Sequence, residues 1–138
     1  MQQSLANILE EAEGHTESQK QAEILMKNDS FALKEILTLA LDPNVKWLLP
    51  SSNPPYKPVA EGTDQEGRLY YEARRLKYFV NTVEGIELSQ MTRETLFIEF
   101  LETIAPKDAE LVLRVKNKAL KISVAAVKIA FPDVAKDW

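Results

Sequence analysis

Residues 30–43 read SFALKEILTLALDP, and this stretch decides the fold class. Leu33, Ile36, Leu37 and Ala40 follow the i, i+3, i+4, i+7 spacing that gathers side chains on one stripe of an α-helix. Ser30 stands just ahead of them with a hydroxyl suited to cap the first turn. Asp42-Pro43 ends the run, because a residue before proline is pushed out of the α region.

The same period continues on both sides. Leu5, Ile8, Leu9 and Ala12 mark a first helix that Gly14 stops. Thr16 and Gln19 form a T-x-x-Q capping box opening a second helix, with Ala22, Leu25 and Met26 turned inward. Val45–Leu49 (VKWLL) reads either as a helical turn or as an extended piece packed on the core. Residues 50–66, PSSNPPYKPVAEGTDQE, hold four of the seven prolines. They read as a loop long enough to be functional or disordered. They are not a domain boundary, since the segment before them is too small to fold alone.

A fourth helix is expected over 67–80, with Leu69, Ala73, Leu76 and Val80 inward, and Gly85 marks the next turn. Thr92 opens a fifth, whose stripe is Phe97, Phe100, Leu101 and Ile104. Pro106 sits at the first position of a sixth, running to about Val115. Ser123 caps a seventh over 124–131, ended by Pro132. Strand-like alternation is nearly absent. The expectation is one all-α domain over 1–138, a compact bundle of about six or seven short helices with a long proline-rich loop.

Composition narrows the function. With 138 residues, 45% hydrophobic and 28% charged, the chain can bury a core of its own. It has no cysteine, so disulfides, thiolate nucleophiles and cysteine zinc sites are excluded. The single histidine, His15, excludes a histidine-rich metal site and a paired-histidine mechanism. No apolar run approaches the roughly 18 residues of a membrane span. MQQSLANILEE lacks the basic and apolar regions of a signal peptide, so a soluble, reducing, intracellular setting is expected. No phosphate-loop, dinucleotide, zinc-protease or nucleophile-elbow motif occurs. Glu10, Glu11 and Glu13 read as a solvated helix end, and His15 as a helix-end residue. No enzyme, catalytic residue, metal or cofactor is expected.

The net charge of −4 is uneven. Residues 1–69 carry −5 and residues 70–138 carry +1. Between positions 114 and 128 stand Arg114, Lys116, Lys118, Lys121 and Lys128 with no acid among them. Lysines in a turn, followed by a helix start capped by Ser123, combine ammonium, hydroxyl and backbone N–H groups, all phosphate ligands. The plainer reading is a solvated linker whose lysines favour the end of the preceding helix. A second cationic face, Arg68, Tyr71, Arg74, Arg75, Lys77 and Tyr78, suits sugar-phosphate contact and stacking. Its plainer reading has Tyr70, Tyr71 and Tyr78 half-buried at the core rim, with Arg68, Arg74 and Arg75 paired to Glu66 and Glu72. Pro55-Tyr-Lys-Pro58 is a formal P-x-x-P, read as a rigid loop packing Tyr56 on the body. Trp138 is either a partner anchor or a lid on the core.

Two blocks carry a resemblance. The first is Ile8-Leu-Glu-Glu-Ala12, Ser18-Gln-Lys-Gln-Ala-Glu-Ile-Leu25, Lys27-Asn28 and Leu33-Lys-Glu-Ile-Leu37. The second is Phe97-Ile-Glu-Phe-Leu101, Asp108-Ala-Glu-Leu-Val-Leu-Arg114 and Ser123-Val-Ala-Ala-Val-Lys-Ile-Ala-Phe-Pro132. In order and spacing they resemble the N-terminal, all-helical DNA-binding domain of ATP-dependent DNA ligases from T-even-like phages, and stand-alone uncharacterised proteins of tailed phages, cyanophages included. The likeness spans most of the chain except the proline-rich loop and the 81–91 connection. In that family the domain grips duplex DNA around a nick through minor-groove and backbone contacts, and the turn before the last helix faces DNA. Lys116 to Ser123 match that turn. The family has a Cys-Gly-Ala-Ser-type turn there, whereas this chain reads Lys118-Ala-Leu-Lys-Ile-Ser123. No K-x-D-G adenylation motif occurs; Lys27-Asn-Asp-Ser30 is the nearest string, so ligase activity is not expected.

The resemblance and the charge pattern together imply a non-enzymatic, non-sequence-specific binder of duplex DNA, nicked or intact, in phage DNA replication or repair. Its place would be the cytoplasm of the infected host cell, with no membrane partner. The DNA-facing residues would be Arg114, Lys116, Lys118, Lys121, Ser123 and Lys128, extended by Arg74, Arg75 and Lys77. The alternatives are an adaptor docking on a replication partner such as a sliding clamp through Trp138 and Tyr56, or an inhibitor of a host protein.

Overall fold

The computed structural model describes residues 3–59 and 67–138. Its regular elements are helical: α1 (Leu5–Glu13), α2 (Ser18–Lys27), α3 (Phe31–Leu41), α4 (Arg68–Glu72), a 3-10 helix (Ala73–Phe79), α5 (Val83–Glu87), α6 (Gln90–Thr103), α7 (Pro106–Lys116) and α8 (Val124–Ala130). The fold is all-α. No helix among the described residues is long and apolar enough to cross a membrane.

α3 lies at the centre and follows its expected pattern. Ser30 accepts from the Leu33 N–H at 3.0 Å, and Leu33, Ile36, Leu37 and Ala40 are buried. Each such leucine contributes roughly 1.5–3 kcal/mol by leaving water. α7 packs on α3, while α1 and α8 pack on α2. Asp108, buried at the start of α7, accepts from the Ala6 N–H at 3.0 Å and so supports the first turn of α1. It was not singled out in the sequence, where an acid in a first turn looks like surface.

Several boundaries differ from the sequence pattern. The Thr16–Gln19 capping box does not form: α2 starts after Glu17, with no side-chain cap. Its buried side is Gln21, Ala22, Ile24 and Leu25, while Met26 is exposed. α6 begins two residues before Thr92, because Ser89 captures the Thr92 N–H at 3.2 Å. Gly85, read as a turn, lies buried inside α5, so the described helices outnumber the expected six or seven.

The expected helix over 67–80 changes winding at Ala73. Ala73, Leu76 and Phe79 are three residues apart and all buried, which is the register of a helix with three residues per turn. Phe79 then meets Phe97 and Phe100 edge-to-face at 5.1 and 5.7 Å, clamping this helix to α6. Of the two readings of Val45–Leu49, the extended one is found. Trp47 bridges Val80, with Leu48 N–H on the Phe79 carbonyl at 2.9 Å and Asn81 N–H on that of Lys46 at 3.0 Å.

Candidate nucleic-acid interface

The segment from α7 to α8 is held from both ends. α7 closes with the Lys118 N–H on the Val115 carbonyl at 3.1 Å and the Ala119 N–H on that of Arg114 at 2.8 Å. This is the paired bonding of a Schellman stop, whose left-handed residue is usually glycine. Here it is Lys118, at φ 57°. The turn therefore takes a glycine-type conformation without a glycine. Beyond it Leu120 and Ile122 are buried, so the alternation of an extended chain sends Lys121 outward.

Two polar side chains from the N-terminal helices fix the rest. Glu13 accepts from the Lys121 backbone N–H at 2.7 Å and ion-pairs with Arg114. Gln21, almost fully buried, accepts from the Ser123 N–H at 3.1 Å and donates to the carbonyls of His15 at 2.8 Å and Lys121 at 3.3 Å. Ser123 caps α8 through the Ala126 N–H at 3.0 Å and meets the Ser18 hydroxyl at 2.8 Å. Glu13 thus belongs to a structural contact and not to the solvated helix end expected of it. Gln21 was missed because a glutamine beside Ala22 carries no sign of the backbone it will reach.

These contacts correct the cationic site. Lys116 is buried, and its ammonium donates to the carbonyls of Pro50 at 3.0 Å, Ser51 at 3.4 Å and Ser52 at 3.5 Å, and to Asn117 Oδ1 at 2.7 Å. It pins the proline-rich segment and is not available to phosphate. Desolvation holds it below the ordinary lysine range despite those acceptors. Lys118 donates to the Leu39 carbonyl at 3.0 Å, sharing with Trp47 Nε1 an acceptor in the last turn of α3. Burial lowers its pKa, and nearby Asp42 opposes that shift. Arg114 is committed to Glu13, and Ser123 to its cap. Lys121 and Lys128 remain exposed. The charge pattern placed five cations on one segment; of these, Lys121 and Lys128 are exposed with no side-chain partner among the described residues, while Lys118, also exposed, has its ammonium on the Leu39 carbonyl.

The second face divides differently. Arg68 and Arg75 share buried Glu72 at 3.6 and 3.2 Å, and Lys77 reaches Glu84 at 4.0 Å. Tyr70 and Tyr78 pack on the core, and the Tyr70 hydroxyl donates to the Gln3 carbonyl. Burial, with Asp108 nearby, holds the Tyr70 hydroxyl above the usual phenol range. The plainer reading therefore holds for those residues. It fails for Tyr71, which is 63% exposed, and the Arg74 guanidinium lies 4.0 Å from the centre of the Tyr71 ring. Arg74 has no carboxylate partner among the described residues. Glu66, the other acid expected here, lies outside the described residues.

Tyr56 and Trp138 are both half-buried against the core. The P-x-x-P segment is tied down by the Lys57 N–H on Glu102 at 2.7 Å. Residues 60–66 of the proline-rich loop lie outside the described residues.

The molecule is thus all-α, and of the cations expected to face DNA, Arg74, Lys121 and Lys128 are exposed with no carboxylate partner among the described residues. The chain belongs to DUF6433, a family of unknown function whose profile matches residues 8–122. No curated protein and no solved structure matches it.

Proposed function

We propose that this protein binds duplex DNA without sequence preference and without catalysing a reaction, in phage DNA replication or repair. The observation that carries this reading is the exposed Arg74–Tyr71 stack, a cation with an aromatic platform and no carboxylate among the described residues. Lys121 and Lys128 are the further phosphate ligands, with Arg75 and Lys77 at the margin. The likeness to the phage ligase domain supports the duplex as target, while the commitment of Lys116, Lys118, Arg114 and Ser123 to contacts within the fold leaves Lys121 as the matched turn's contribution to the footprint. Glu72 keeps Arg75 partly neutralised, so the interface is electrostatically modest and its binding weak.

The test is fluorescence anisotropy with labelled intact and nicked duplexes at low and physiological salt. Three phosphate contacts give a log–log salt slope of roughly −2.7, at about −0.9 per phosphate. Arg74→Glu should flatten that slope by about 0.9 and weaken binding to all sequences alike. Lys121→Glu with Lys128→Glu should do the same about twice over, with helicity retained. Absence of binding at low salt overturns the reading, and full affinity in Arg74→Glu removes the stack from the interface.

A further inference from the structure

We propose that the corner formed by α5 and the first turn of α6 is a docking surface for a basic amphipathic helix of a protein partner. Val83, Ile86 and Met91 are 72%, 63% and 80% exposed. Val83 and Ile86 stand three residues apart on α5, hence on one side of it. Met91 follows at the start of α6. Scattered exposed apolar side chains are ordinary. Three of them on one short connection, outside the part of the chain that resembles the ligase domain, are not.

The backbone that carries them is held by unusual means. Gly85 is buried so close to the preceding helix that a Cβ there would lie 2.0 Å from the Val80 carbonyl oxygen. Thr82 caps α5 through the Gly85 N–H at 3.0 Å and donates to the Lys77 carbonyl at 2.6 Å. Arg93 is buried, and Nη2 donates to the carbonyls of Gly85 at 2.7 Å and Leu88 at 2.8 Å. Its Nη1 donates to Gln90 Oε1 at 2.6 Å and the Leu48 carbonyl at 3.4 Å. No carboxylate is among these partners. A guanidinium is thus taken out of water to hold the α5 backbone, although a helix this short would not persist alone. A surface fixed before binding loses little further freedom when a partner arrives.

The occupant follows from charge. Glu84 and Glu87 are exposed beside the apolar side chains; Glu84 is partly neutralised by Lys77 at 4.0 Å, Glu87 has no ion-pair partner among the described residues, and 81–92 contains no lysine or arginine. The first cation beyond it, Arg93, is the buried one. Apolar side chains rimmed by carboxylates fit a helix with an apolar stripe and lysine or arginine flanks. A second copy of this chain fits worse, because a two-fold contact would bring two patches of the same negative sign together. Nucleic acid is repelled by the same groups.

The probe is a synthetic helical peptide of about 18 residues, with leucine at i, i+3, i+4, i+7 and lysine elsewhere. It is titrated by calorimetry into the full chain and into the Ile86→Glu/Met91→Glu variant. Both substituted side chains are exposed, and circular dichroism confirms that the variant folds. The wild type is expected to bind, and the variant to lose at least about tenfold in affinity. The variant carries two more negative charges, so attraction by net charge alone would tighten binding. Equal or tighter binding by the variant overturns the proposal, as does no binding by the wild type. Self-association in sedimentation equilibrium that the variant abolishes also overturns it, assigning the face to a second copy.

Discussion

Glu13 and Lys121, 108 positions apart, are joined by a hydrogen bond of 2.7 Å from the Lys121 backbone N–H to the Glu13 carboxylate. The same oxygen takes the Arg114 guanidinium. One side chain at the end of α1 thereby fixes both the close of α7 and the approach to α8. A side chain that reads in the sequence as part of a solvated helix end is one on which that turn depends.

Glu13→Ala should therefore cost about 0.5–1.5 kcal/mol, since an exposed N–H and a partly exposed guanidinium exchange this acceptor for water. Chemical denaturation gives the total. Amide exchange locates it: the Lys121 amide should speed up while those in the middle of α3 keep their protection.

Lys118 separates two effects at one position. Its left-handed backbone costs about 1 kcal/mol relative to glycine, and its ammonium returns a similar amount through the Leu39 carbonyl. Lys118→Gly removes both and should lie within about 1 kcal/mol of wild type, whereas Lys118→Ala keeps the strain, loses the bond and should cost about 1–2 kcal/mol. Paired denaturation curves test this. Equal losses in the two variants would show that the backbone conformation carries no cost. Charge reversal at Lys118 is correspondingly unsuitable as a probe of DNA contact, because it perturbs the fold.

Glu35, on α3, is held above the ordinary carboxylate range by desolvation. Between its unfolded value, about 4.3, and its raised folded value, the folded state binds more protons than the unfolded one. Stability from this group is therefore present at low pH and falls as pH rises through that window. Glu35→Gln should raise Tm at pH 7, and its advantage should shrink as pH is lowered through the carboxylate range. Thermal melts at several pH values check the sign, and a constant difference would remove Glu35 from the pH dependence.

Much of the fold was legible before any coordinates. The stripes of α1, α3 and α6, the caps at Ser30 and Ser123 and the opening of α7 at Pro106 all stand where local pattern places them. Local pattern sufficed because helix period and capping depend on residues within a turn or two of one another. α5 and the 3-10 helix were less legible. Both depend on what they press against: Phe79 on the α6 aromatics, and Gly85 on the Val80 carbonyl.

The cations show where local reading stops. Lys116, Lys118 and Lys121 are alike in sequence, each a lysine in the same acid-free segment. One is buried beneath carbonyls that lie 64 to 66 positions earlier, one reaches back to Leu39, and one faces water. Charge is a property of the residue, and the sequence by itself determined how much of it this segment carries. Whether a charge is free to meet a phosphate depends on which acceptors the chain brings within about 3 Å, and only the tertiary structure decided that.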